Sequence, residues 1–205
     1  MDRAYLKSKA KEQLRGRWGL AIITVLISNI FININNFSQG LKFVVDVSPK
    51  VTLTFNLITL ILGGVISTGL SKFLLNFTTN VEEPKFKNIF SYFNIFFKTL
   101  GLTILMSIIA LLGLVLLIIP GIIVVLMYSQ VFYILAEDPS KGIFECLGES
   151  SRLMSGHRWE FFVLELSFIG WWLLAALTLG IGGLWVDPYQ KVTETNFYLN
   201  LKYGI

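Results

Sequence analysis

The chain has 205 residues, 54% hydrophobic and only 15% charged, with a mean hydropathy of +0.68. A soluble domain carries about 25% charged residues, so these charges cannot cover a water-facing exterior, and an ordinary soluble domain is excluded. The net charge of +4 equals the excess of residues 1–17 alone, six basic groups against two acidic, and the remaining chain is neutral. So local an excess, next to an apolar run, is a topology signal and a contact to anionic lipid; no nucleic-acid partner is expected.

In the first segment Arg3, Lys7, Lys11 and Arg15 recur every four residues as one basic stripe, beside an apolar stripe of Leu6, Ala10 and Leu14. That pattern predicts an amphipathic helix in the headgroup layer. A first span follows near 18–37, entered through Trp18 and crowded at its far end by Asn29, Asn33, Asn35 and Asn36. It shows no small-residue cleavage site and is expected to remain as an uncleaved anchor. A second span, near 51–71, carries the small-residue pairs Gly63/Ser67 and Gly64/Thr68, which predict close packing on a neighbouring helix or a second copy.

Between spans two and three, Phe86, Phe90, Phe93 and Phe97 repeat at helical spacing after Pro84, predicting an interfacial helix. The apolar stretch 99–136 is too long for one crossing, and Pro120-Gly121 divides it into spans near 99–119 and 122–136. Asp138-Pro139 reads as the start of a further surface helix and Gly156 as its end. A fifth span lies near 161–179, with Trp171 and Trp172 inside it as bulk. The sixth, near 184–201, turns polar after Val186. The fold class is therefore all-α: a polytopic transmembrane helical bundle of six spans with short cytoplasmic amphipathic helices. Five spans plus a C-terminal interfacial helix is the alternative.

With the N-terminus inside, fourteen basic residues fall on the cytoplasmic side, Lys42 and Lys50 fall outside, and Lys191 lies within span six. Such a bias fixes the orientation in the cell membrane with the N-terminus cytoplasmic.

Several strings together resemble domain-of-unknown-function family 975, bacterial membrane proteins without an assigned activity. They are Leu6-Lys7, Ala10-Lys11, Leu14, Gly16 and Trp18-Gly19 at the start, and Ile119-Pro120-Gly121-Ile122 through Phe132-Tyr133 in the centre. Glu149-Ser150-Ser151-Arg152, Gly156-His157-Arg158-Trp159, Leu184-Trp185-Val186, Pro188-Tyr189 and Asn196-Phe197-Tyr198 complete the match. The resemblance covers essentially the whole chain. More distantly, the Pro-Gly hairpin and the closing Phe-Tyr near a Pro resemble the membrane domains attached to some glycerophosphodiester phosphodiesterases. Those domains carry no catalytic residues, and their closing segment is the last span; the polarity of 190–196 is a departure from that pattern.

Ionisable groups within a span cost about 2.5–3.5 kcal/mol each on insertion scales, which makes them functional candidates. Asp187, Lys191 and Glu194, at i, i+4 and i+7, form a charged ladder in which Lys191 can pair with both carboxylates. The ladder, with Glu165, either lines a polar pathway for an ion, proton or headgroup or is an ion-pair network gluing span six to the bundle; otherwise 188–201 lies on the outer surface. Arg158 can neutralise Glu160 or Glu165, or join Arg3, Lys7, Lys11 and Arg15 in contacting lipid phosphates.

Enzyme signatures are missing: the chain has no HExxH, GxSxG, P-loop or GxGxxG. The lone Cys146, beside Glu145 and Glu149, is a poor nucleophile; neither it nor the lone His157 predicts a metal site. No cofactor is expected. The expectation is a non-enzymatic, membrane-embedded partner or scaffold for proteins or lipids, with a small transporter or channel as the alternative. The partners expected are anionic headgroups, and beyond them a protein or a second copy.

Overall fold

The computed structural model describes residues 2–32, 48–116 and 118–204, and every regular element among them is helical. Helices α1 (Arg3–Leu14) and α2 (Trp18–Ile32) meet at 105°, turning at Gly16, whose φ of +78° suits a residue without Cβ. Asp2 caps α1, its carboxylate accepting the Ala4 N–H at 2.8 Å. Leu6, Ala10 and Leu14 are fully buried, with α1 packed across the C-terminal helix. The apolar stripe thus exists as read, but it faces protein, not the headgroup layer. The asparagines at 33, 35 and 36, and Lys42, lie outside the described residues.

Helix α3 (Pro49–Thr79) is long enough, at roughly 46 Å, to clear a bilayer of about 30 Å and continue beyond it. Proline occupies its first position, and Asn80 closes it in the left-handed conformation. Its first half exposes Val51, Leu53, Leu57 and Ile61, a face suited to lipid, whereas Gly63–Thr78 is mostly buried and forms the centre of the core. Gly64 is where the helix carrying Thr99 crosses: a Cβ on Gly64 would lie 2.6 Å from the Thr99 carbonyl oxygen. The Gly64/Thr68 pair therefore does pack on a neighbour. Gly63 meets nothing within 4 Å, so the Gly63/Ser67 pair makes no such contact through its glycine.

The phenylalanine-rich connection is not the continuous helix that its spacing predicts. It forms two 3-10 turns, Phe86–Phe90 and Phe93–Ile95. The Asn88 side chain accepts the Lys85 N–H at 3.2 Å, competing with helical pairing, and Ile89 is pulled into the core against Gly69. Helix α4 (Phe96–Leu116) and α5 (Ile118–Met127) pack together as the expected hairpin, but the division precedes Pro120, which sits in the first turn of α5. There its missing N–H costs nothing. Gly121 serves close approach and not the reversal, since a Cβ on Gly113 would lie 2.9 Å from the Gly121 Cα.

Helix α6 (Val131–Glu137) completes that arm, and α7 (Ile143–Leu153) begins later than Asp138-Pro139 suggests. The Asp138 carboxylate instead accepts the Ser140 N–H and hydroxyl, a local turn, and Glu145 accepts the Gly142 N–H to start α7. Gly156, φ +81°, follows the end of α7 as expected. Helices α8 (Arg158–Leu166) and α9 (Ile169–Leu177) nearly continue one another through Ser167 and Phe168. A five-residue turn leads into α10 (Gly183–Tyr203), which carries Pro188 inside it.

Among the described residues, four helical segments could cross a membrane by length and composition: 49–79, 86–113, 119–137 and 158–177. The bent pair α1–α2 makes a fifth. Helix α10 is not among them, although Val192–Leu199 is buried throughout. It packs on α1, α2, α3 and α9, stacking Tyr198 on Tyr133 with centroids 5.2 Å apart and setting Phe197 at a tilt against Phe161 at 4.9 Å. Segment 188–201 therefore packs among other helices, and it is not itself one of the candidate spans.

Candidate functional site

The charged ladder of α10 faces a polar cavity of about 480 Å³. Asp187, Gln190, Lys191 and Glu194 line it from α10, Asn29 from α2, Ser67 and Ser71 from α3, and Tyr133 from α6. Placing three ionisable groups one turn apart puts them on a single helix face, as the spacing requires. Their pairing differs from expectation in one respect. Lys191 forms an ion pair with Glu194 at 2.9 Å, but the Asp187 carboxylate is held by the Asn29 side-chain amide across the helix interface. An asparagine of the first span thus makes a hydrogen bond between helices.

Glu165 is brought to the same network from α8. Its Oε2 accepts the Gln190 amide at 2.6 Å, and Gln190 in turn accepts the Trp172 indole N–H at 2.7 Å. Trp172 is therefore more than bulk: it is the polar strut that joins α9 to α10. The other Glu165 oxygen is buried without a hydrogen-bond partner. Arg158 makes no ion pair with either glutamate among the described residues, and its Nε is likewise buried and unpartnered. Glu160 lies against His157 Nδ1 at 2.9 Å, which explains His157 as a local surface pair.

The basic stripe of α1 divides into two roles. Lys7 is committed to the protein: its ammonium donates to the Ser167 carbonyl at 3.0 Å and rests 4.1 Å from the centre of the Phe168 ring. Arg3, Lys11 and Arg15 are exposed. Lys11 and Arg15 overhang a second cavity of about 550 Å³, walled by Trp18, Trp171, Leu174 and Trp185. The Lys11 ammonium is 5.4 Å from the Trp171 ring and 5.5 Å from Tyr189, distances at which aromatic faces attract a cation.

A third cluster escaped the sequence reading. Glu137, at the end of α6, accepts from Tyr198, Lys202 and Tyr203; Lys202 also reaches Glu149 at 3.3 Å, and Glu149 pairs with Lys141 at 2.5 Å. Burial raises the Glu149 carboxyl, but Lys141 and Lys202 outweigh it and hold the group below its usual range. These residues lie up to 66 positions apart, so no local spacing marks them. Cys146 is buried beside this cluster, and burial first, with Glu149 adding, pushes its thiol up, which blunts it as a nucleophile. Among the described residues no three His, Cys, Asp or Glu side chains gather as a metal site would require.

A family model described as protein of unknown function (DUF975) matches residues 1–120 and 108–203, essentially the whole chain. Neither a curated protein nor a solved structure matches it.

Proposed function

The chain belongs to the DUF975 family of proteins of unknown function, and on that premise we propose that it is a non-enzymatic, membrane-embedded partner for lipids of the cytoplasmic leaflet. It sits in the cell membrane with its N-terminus cytoplasmic, the orientation supported by the clustering of basic residues. The observation that carries the reading is the cleft beneath α1, where Lys11 and Arg15 overhang an apolar wall of Trp18, Trp171, Leu174 and Trp185. A site of that character suits an anionic phospholipid: the cations meet the phosphate and the aromatic wall meets the acyl chains. Indole rings at the junction between polar and apolar surroundings add to this fit.

The test is the melting temperature of the purified protein in neutral detergent with added phosphatidylglycerol or phosphatidylcholine. A ligand at a hundred times its dissociation constant stabilises by about 2.7 kcal/mol, which in a chain of this size raises Tm by about 5–10 °C. The anionic lipid should produce such a shift, and Lys11→Gln/Arg15→Gln should lose it while melting normally in phosphatidylcholine. Equal shifts with both lipids, or a double variant that responds like the parent, would refute the assignment.

A second reading, a small transporter, is favoured by the polar cavity in which Asp187, Lys191 and Glu194 converge. Against it, Lys191 is already paired with Glu194 and Asp187 with Asn29, as in a network that joins helices. Lys191→Met/Glu194→Gln distinguishes the two. A transport pathway loses flux in this double variant with folding intact, whereas a joining network tolerates it and melts lower only when Lys191→Met alone leaves Glu194 unpaired.

A further inference from the structure

We infer that α9 and α10 do not form a pair of transmembrane spans: their hairpin is a re-entrant wedge that enters the bilayer from the cytoplasmic side and turns within the hydrocarbon. Helix α1 marks the water line. It lies at 105° to α2, hence close to the membrane plane, and exposes Arg3, Lys11, Glu12 and Arg15 along its length. Its contacts show where that plane cuts the hairpin. Lys7 touches Ser167 and Phe168, Lys11 faces Trp171 and Tyr189, and Gln13 bonds Asn196 and the Thr78 carbonyl.

Above that level little helix remains. The nine residues of α9 rise roughly 14 Å, and Gly183 to Tyr189 about 10 Å, against a hydrocarbon core of about 30 Å. The tip therefore stops near mid-bilayer, whereas α3, reaching the same plane at Thr78, has length enough to cross.

The tip is built for that location. Leu177, Leu179 and Ile181 are 81, 94 and 60% exposed, and no charged residue occurs between Glu165 and Asp187. A turn emerging into water would have no reason to present these side chains. Lipid also demands that every backbone donor be satisfied internally. Here each N–H from Thr178 to Val186 has an acceptor. Thr178 and Gly180 donate to Ala175, Leu179 to Ala176, Ile181 to Thr178, and Gly183, Leu184, Trp185 and Val186 to carbonyls three or four residues earlier. Gly182 donates to the Thr178 hydroxyl at 2.8 Å, completing the set. Leu179 and Gly180 adopt φ of +54° and +86° to make this closure.

The arrangement also accounts for the polar half of α10. Thr193, Glu194, Thr195 and Asn196 lie at or below the water line, inside a cytoplasmic layer of protein, so they never face lipid. Both ends of the hairpin are cytoplasmic, so every basic residue keeps the side assigned by six spans, and a C-terminal reporter cannot separate the two topologies. Only the tip can.

The experiment is single-cysteine labelling in a Cys146→Ala background, with Leu179→Cys and, as a second position, Ile181→Cys. Lys50→Cys and Lys87→Cys, both at exposed positions, report the two faces. Sealed vesicles of both orientations are treated with a membrane-impermeant maleimide, which needs a thiolate and hence water. The wedge predicts tip labelling at least tenfold below the control of either face, rising to the control level once detergent dissolves the bilayer. Tip labelling together with Lys50→Cys would establish six spans, and labelling together with Lys87→Cys would place the hairpin in the cytoplasm. Either result overturns the wedge. Monodisperse elution of each variant in mild detergent shows that the labelled protein is folded.

Discussion

Replacing Gly69 by alanine should lower stability, whereas the same change six residues earlier, at Gly63, should raise it. Both glycines lie inside α3, so both gain about 0.8–1.0 kcal/mol from the better helix former. Their surroundings differ. A Cβ on Gly69 would lie 2.5 Å from the Ile89 carbonyl carbon and 2.7 Å from its Cα, with the carbonyl oxygen closer still. Ordinary contact begins at 3.4 Å, so the 3-10 turn must retreat by more than about 0.9 Å, and it is backbone that must move. Ile89 is fully buried, and displacing it opens the seam between α3 and the connection to α4. Overpacking costs about 1–3 kcal/mol, and a forced backbone shift belongs at the upper end, leaving a net loss of about 2 kcal/mol after the propensity gain. At roughly 2–4 °C per kcal/mol for this length, Gly69→Ala should melt about 4–8 °C lower. Gly63 has nothing within 4 Å, so Gly63→Ala should melt about 2–4 °C higher. Thermal unfolding of both variants in one detergent, followed by far-UV circular dichroism, measures the difference. If Gly69→Ala melts at or above the parent, the close approach at Ile89 does not govern the packing of this connection.

The ion pair of α10 should show the asymmetry of buried charges. Lys191→Met strands Glu194 and should cost about 3–5 kcal/mol, while Lys191→Met/Glu194→Gln should recover most of it; melting curves of the single and double variants decide this. At the Glu137–Lys202–Glu149–Lys141 cluster, the depressed carboxyl of Glu149 contributes stability that is complete above the ordinary 4.5 and is lost as pH falls through its lower folded value. The parent should therefore lose melting temperature on acidification below about pH 4.5 more steeply than Glu149→Gln; parallel pH profiles would show that the pair with Lys141 and Lys202 does not stabilise the fold.

What the sequence made legible was periodic or compositional. The α1 stripes, the long apolar runs, the α4–α5 hairpin and the clustering of Asp187, Lys191 and Glu194 all depend on spacing within one helix, and all are present. Side-chain competition with the backbone was harder to read. Asn88 and Asp138 each divert local hydrogen bonds, and each displaces a helix that the apolar pattern alone supports. Long-range partners left no trace at all, as with Glu137 and Lys202 or Asn29 and Asp187. Gly69 shows the same limit, because a small-residue motif identifies Gly64 while the tighter approach five residues later lies outside it.

The deepest difference concerns α10, and it follows from treating the membrane as a one-dimensional length rule. Residues 184–201 are the right length to cross, and their polarity then has to be explained by pathways or ion-pair glue. Depth, however, is set by where neighbouring polar surfaces sit, and that information belongs to α1, more than 170 residues away in the chain. Once Lys7, Lys11 and Gln13 are seen against Ser167, Tyr189 and Asn196, the burden of explanation reverses. The polar half of α10 needs no special function to justify a place in lipid, because other helices surround it. The segment that does require explanation is the apolar turn from Leu177 to Trp185, whose satisfied backbone and exposed leucines suit hydrocarbon and not water.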